Sequence, residues 1–188
     1  RGPRVDLLEA SLRGQVLALG CVLALSAQGS PFPKPTAHHL AMKDMAGTWT
    51  AVARMYMEPG KPPMVSKGTE VNTLVAGGLW IKTELKAEMM GQVFEGHGLF
   101  GYDARQNAHV GSWVDSSDTW MALTKGACSK DCKEQTLFFE GYDETGKATT
   151  HKEVHVQVDR DHRTMAMFVK GKDGTFKKVM DMEYTRAK

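Results

Sequence analysis

From Gly47 to Lys188 apolar and polar side chains alternate in ten short segments, with turn residues recurring at the spacing of an all-β barrel or sandwich. The segments are residues 47–57, 65–75, 79–90, 92–102, 108–116, 119–125, 134–142, 147–158, 162–170 and 175–185. Between them lie turns such as Glu58-Pro59-Gly60-Lys61-Pro62-Pro63, Gly77-Gly78 and Lys172-Asp173-Gly174, and no long helical pattern interrupts them. The expectation is an all-β fold: a single antiparallel up-and-down barrel of about ten strands. Such a barrel fills its interior with side chains or holds one small ligand there.

The residues before Gly47 read differently. Arg13 precedes the apolar run Val16 to Ala27, too short to span a bilayer but suited to a secretory signal, and small residues follow between Ser26 and Ser30 where a peptidase could cut. Residues 1–29 are therefore expected to be leader and signal peptide, and the mature protein periplasmic or secreted in a bacterium. Cys21 fits a lipoprotein signal poorly, because Ala18-Leu19-Gly20 precedes it and mostly apolar residues follow. Residues 30–44 read as a Pro-rich tether, and 45–188 as the barrel domain. Leu40 to Met45 is expected to form a short helix plugging one barrel end.

The whole chain carries 24 basic and 22 acidic residues. Removing Arg1, Arg4, Arg13, Asp6 and Glu9 with the leader leaves 21 against 20, a nearly neutral domain with no basic stripe among aromatics. That argues against a nucleic-acid partner. No stable membrane insertion of the mature protein is expected, and the sequence leaves the oligomeric state open.

Strand parity selects interior candidates. Trp49, Ala51, Ala53, Met55 and Met57 share a face of the first strand; Phe176, Met180, Met182, Tyr184 and Arg186 share one in the last, interrupted by Lys178. With Ile81, Leu85 and Met89 these give a methionine-rich interior, in a chain of twelve methionines. Methionine suits irregular apolar surfaces, so either a packed core or a lined pocket would use it. The expected ligand-binding residues are Met55, Met89, Phe94, Trp113, Trp120, Met180, Met182 and Tyr184, with Trp80 and Phe100 as further lining or mouth positions.

Three constellations could carry chemistry. His97, between Gly96 and Gly98, has Glu95 beside it and Asp115 a strand away; with a carboxylate partner it could act as general base on water. His151-Lys152-Glu153-Val154-His155 places two imidazoles and a carboxylate on one strand face, about 7 Å between alternate residues. The apolar face formed by Val154, Val156 and Val158 argues that those histidines point to solvent. Cys128 and Cys132 sit at a hairpin tip, where an exported protein is expected to join them in a disulfide worth about 2 kcal/mol. A single C-x-x-x-C supplies too few soft ligands for a metal, so no metal site and no cofactor are expected. No nucleophile elbow, phosphate-cradling loop or marked haem ligand is present.

Gly47-Thr48-Trp49 in the first strand, with Arg186 ending the last, resembles the calycin pattern of lipocalins and fatty-acid-binding proteins, in which an Arg packs across a Trp at the barrel floor. A guanidinium over an indole is favourable through cation–π attraction. The runs Met55 to Met64, Glu88 to Gly96, Gly101-Tyr102-Asp103 and Gly111 to Ser116 are similar to a bacterial exported family, domain-of-unknown-function family 1579, over residues 45–187. That resemblance implies a small calycin-like barrel and brings no established activity; the cysteine hairpin departs from its usual pattern. The leading expectation is an exported barrel binding a small apolar molecule. The alternatives are a small ester or lactone hydrolase using His97, with Glu95 or Asp115 orienting it, and an envelope protein with a filled core. An inward His97 beside a cavity favours the hydrolase, a cavity without titratable groups the binding barrel, and no cavity the filled core.

Overall fold

The structure, a computed structural model, describes residues 32–143 and 145–188. The expected signal peptide, Cys21 and the start of the expected tether lie outside these residues. Ten antiparallel strands close into one barrel, each pairing with its sequence neighbour and the first with the last. They are β1 (Gly47–Met55), β2 (Met64–Val75), β3 (Trp80–Met89), β4 (Gln92–Asp103), β5 (Ala108–Asp115), β6 (Ala122–Cys128), β7 (Glu134–Tyr142), β8 (Ala148–Gln157), β9 (His162–Lys170) and β10 (Phe176–Arg186). The sixth strand begins three residues later than its sequence pattern places it.

A short helix, α1 (Ala37–Ala41), and a 3-10 turn over Met42–Met45 precede the barrel. The helical segment thus starts inside the stretch that composition marks as tether. Met42 is buried and both Met42 and Met45 line the interior from below, so this segment floors the barrel.

Next to the plug, Trp49 is fully buried and its Nε1–H donates to the Met45 carbonyl at 2.8 Å. The Arg186 guanidinium lies 4.2 Å from the indole and donates to the carbonyls of Ala46 and Asp44 at 2.8 and 2.6 Å. Gly47 has φ +124°, and a Cβ there would come 2.7 Å from Arg186 Nη1. The glycine of G-x-W therefore makes room for the arginine that stacks on the tryptophan two residues on.

The register corrects two parity readings. Lys178 pairs with Phe168 but Met180 pairs with Met167, leaving Val179 as a bulge in β10. A bulge inserts one residue and reverses the alternation beyond it. Met180, Met182 and Tyr184 consequently point inward, while Phe176 lies on the outer wall near Phe138 and under the Lys152 ammonium. In β8 the expected faces are exchanged: His151, Glu153 and His155 line the interior. Lys152 on the outer face covers the Phe168 ring at 4.4 Å. Val154 and Val156 therefore share the outer wall with Lys152, whose neighbours there are Phe138, Phe168 and Phe176.

Candidate functional site

The barrel encloses a cavity of about 480 Å³, within the range of small-molecule sites. Eight of the twelve methionines line it: Met42, Met45, Met55, Met89, Met165, Met167, Met180 and Met182. All eight residues expected to contact a ligand lie on its wall, namely Met55, Met89, Phe94, Trp113, Trp120, Met180, Met182 and Tyr184. Phe100 joins them; Trp80 does not, since its ring covers Gly101.

Glycines shape the upper wall. Gly96 and Gly98 on β4 and Gly111 on β5 share the inward face with Trp113 and Phe100, and a Cβ at Gly96 would collide with the Trp113 indole. A Cβ at Gly98 or Gly111 would strike Phe100. The glycines that flank His97 in sequence thus receive the protein's own rings rather than a substrate.

His97 itself is exposed on the outer wall, paired with Glu84 and Val114 across the sheet. Glu95, also outward, is bound by Lys86 at 2.8 Å, which holds its carboxyl below the ordinary range. Asp115 does reach the cavity mouth, but its oxygens accept from Trp113 Nε1 at 2.9 Å and from the Ser117 backbone N–H and hydroxyl at 2.8 and 2.6 Å. The three residues of the hydrolase alternative therefore do not assemble, because one-residue alternation puts His97 and Asp115 on opposite sides of the wall. Asp115 caps the turn after β5 and orients Trp113.

Toward the floor the lining turns polar. Glu70 and Arg163 form a buried ion pair; Asn72 Nδ2 donates to Glu70 Oε1 at 2.7 Å, and Thr83 Oγ1 donates to Asn72 Oδ1 at 2.6 Å. The Arg163 guanidinium lies 3.8 Å from the Tyr184 ring and 4.8 Å from Trp49, so the indole is flanked by Arg163 as well as Arg186. Burial, with Glu70 nearby, raises the Tyr184 phenol well above its ordinary pKa. The alternation of Ser66, Gly68, Glu70 and Asn72 along β2 was the available sequence signal for this cluster, since an inward row of polar residues needs partners.

Four lining residues carry a buried polar atom with no partner within the described protein: His109 Nδ1, Thr124 Oγ1, His151 Nδ1 and Arg163 Nε. His151 stacks on Phe139 at 4.8 Å and its Nε2 bonds the Tyr142 carbonyl at 3.3 Å; burial lowers its pKa. His155 Nε2 meets Glu153 Oε2 at 3.2 Å. The cavity thus combines thioether and aromatic surfaces with a polar cluster at the floor around Glu70 and Arg163, and with His151 toward the mouth.

Beneath the floor, the Cys128–Cys132 disulfide between β6 and β7 is present as expected. Beside it stand His38 of α1 and His109 of β5, the latter buried. Burial, followed by the neighbouring His38 and His39, pushes His109 down to about 4.

The family model for proteins of unknown function DUF1579 matches residues 34–186, the plug and all ten strands. The chain belongs to the DUF1579 family. No curated protein is significantly similar to it. Among solved structures, the crystal structure of Rv2717c from M. tuberculosis matches with a TM-score of 0.58 at 14% identity, covering 83% of this chain and 100% of that one. At that identity the likeness supports a shared barrel, so this DUF1579 chain's chemistry has to be read from its own cavity. No helix among the described residues is long and apolar enough to cross a membrane.

Proposed function

We propose that this protein is an exported, periplasmic or secreted barrel that holds one small, mainly apolar molecule whose hydrogen-bonding end points toward the floor. The observation that carries the reading is the cavity of about 480 Å³ lined by eight methionines and by Phe94, Trp113 and Trp120. Apolar burial supplies affinity and a few placed polar atoms fix orientation, as in small-molecule sites generally. Thr124 and Arg163 line the cavity with one unpartnered buried polar atom each, Oγ1 and Nε, and supply that second role once their side chains turn toward the ligand. Flexible thioethers let the wall conform to the ligand's shape. The disulfide supports the exported location, because disulfides persist in oxidising compartments.

The test is equilibrium binding of alkyl compounds carrying one alcohol, amide or carboxylate end, followed by tryptophan fluorescence. One molecule per chain is expected, with affinity rising with alkyl length until the cavity is full. Ala53→Phe, which places a ring in the cavity, should abolish binding while the variant's circular dichroism stays native. Absence of saturable binding across the series, or binding indifferent to Ala53→Phe, would overturn the proposal.

A further inference from the structure

Four potential metal ligands that lie far apart in sequence meet under the barrel floor. His38 comes from α1, His109 from the start of β5, and Cys128 and Cys132 from the β6–β7 hairpin. One ligand atom of each lies within 4.8 Å of the others. His38 Nδ1 is 3.5 Å from Cys128 Sγ, 3.4 Å from Cys132 Sγ and 3.3 Å from His109 Nε2.

One hydrogen bond accounts for only one of these three contacts. An imidazole nitrogen has one proton or one lone pair, and disulfide sulfurs carry no proton to give. A tetrahedral zinc centre, formed once the S–S bond is opened, uses all four groups together. With metal–sulfur bonds of about 2.3 Å and metal–nitrogen bonds of about 2.0–2.1 Å, the edges of such a centre are about 3.5 Å for N···S and about 3.3 Å for N···N. The spacings around His38 Nδ1 have those lengths. The His38 ring is already oriented by stacking on Tyr102 at 4.0 Å and 11°. A cavity of about 40 Å³ bordered by all four residues adjoins the cluster, enough to admit an ion.

We propose that His38, His109, Cys128 and Cys132 form a zinc-class divalent cation site that is available when the Cys128–Cys132 disulfide is reduced and closed when it is oxidised. The site adjoins the barrel cavity, whose lining includes His109, and its proposal does not rest on what that cavity binds. The switching step balances with a low-molecular-weight thiol as reductant. One thiolate attacks a cysteine sulfur, the S–S bond breaks and a mixed disulfide forms; a second thiol then releases the protein cysteine, yielding two protein thiols and one small-molecule disulfide. Two electrons pass from the small thiols to the protein. Cation binding then displaces both thiol protons, and the sulfurs separate to the S···S edge of the tetrahedron, about 3.8 Å. Because His38 lies on the plug while the other ligands lie on the barrel, the cation ties the plug to two hairpins.

The test uses the full chain, reduced with a phosphine under anaerobic conditions and titrated with Co(II) and then Zn(II). One equivalent of Co(II) should give the intense visible bands of a tetrahedral centre with a thiolate charge-transfer band, and Zn(II) should displace it. The reduced protein should also gain thermal stability with Zn(II). His38→Ala, on the surface-facing plug, and Cys132→Ser should each weaken binding more than about tenfold, since even outer-shell losses cost about that much. His109→Ala should do the same, with circular dichroism of the metal-free protein as its folding control. Re-oxidised wild-type protein should lack the charge-transfer band. A reduced chain without that band, or one whose affinity is unchanged by His38→Ala, would overturn the proposal.

Discussion

At the floor of the barrel charges are buried and held by partners of fixed geometry: Glu70 on Arg163, Asn72 on Glu70, and Trp49 between two guanidinium groups. At the mouth the wall is thioether and ring, and its form depends on glycines that give Trp113 and Phe100 somewhere to lie. The floor cannot lose one member without stranding another. The thioethers of the mouth can rearrange at little cost while its rings stay seated, which teaches where stability and where adaptability reside in one continuous sheet.

The sharpest way to break this contrast is Arg163→Ala, which leaves Glu70 buried without its cation and should cost about 3–5 kcal/mol in urea unfolding. Exchanging the pair together for Glu70→Gln and Arg163→Met should recover much of that loss; no recovery would show that the site matters through packing alone. Gly96→Ala, at the upper wall, should cost about 1–3 kcal/mol by pushing the Trp113 indole from its seat, with a shifted tryptophan emission as the accompanying signal. Arg186→Ala removes a stacked guanidinium and its bonds to Ala46 and Asp44, and should lower stability by about 2 kcal/mol. An unchanged melting temperature would remove Trp49 and Arg186 from the floor's support.

A smaller effect is expected from pH. Burial holds His151 below the ordinary value of 6.5, against the opposing pull of the Tyr142 carbonyl, Glu153 and Glu140. The unfolded chain then binds the extra proton first, so this residue's contribution is full above about 6.5 and is lost as pH falls through the lower folded value. His151→Gln should flatten that part of a stability–pH profile recorded by urea unfolding. Least of all, His97→Ala on the outer wall should shift stability by under about 0.5 kcal/mol and leave ligand binding unaltered.

Most strand positions were legible because turn residues interrupt a strict two-residue period. Legibility ended where a local event changes the period or a contact spans the chain. Val179 bulges and turns Phe176 outward; the inward row of β8 is the polar one, His151, Glu153 and His155; and the glycines beside His97 proved to be seats for indole and phenyl rings. The cysteine pair alone predicts a disulfide correctly, yet its histidine neighbours are 90 positions away at His38 and across the sheet at His109. A one-dimensional spacing rule does not bring such residues together. The buried Glu70–Arg163 pair spans 93 positions and was hidden for the same reason.

The pairing of Trp49 with Arg186 also sets an order for folding. Every other seam of the barrel joins strands that follow one another, so those hairpins form through local contacts. Closure waits for β10, and until it docks the Trp49 indole has no guanidinium over it from that side and β1 has an open edge. The folding chain is therefore a curved, unsealed sheet until its two most distant strands meet, and only that step makes it a container.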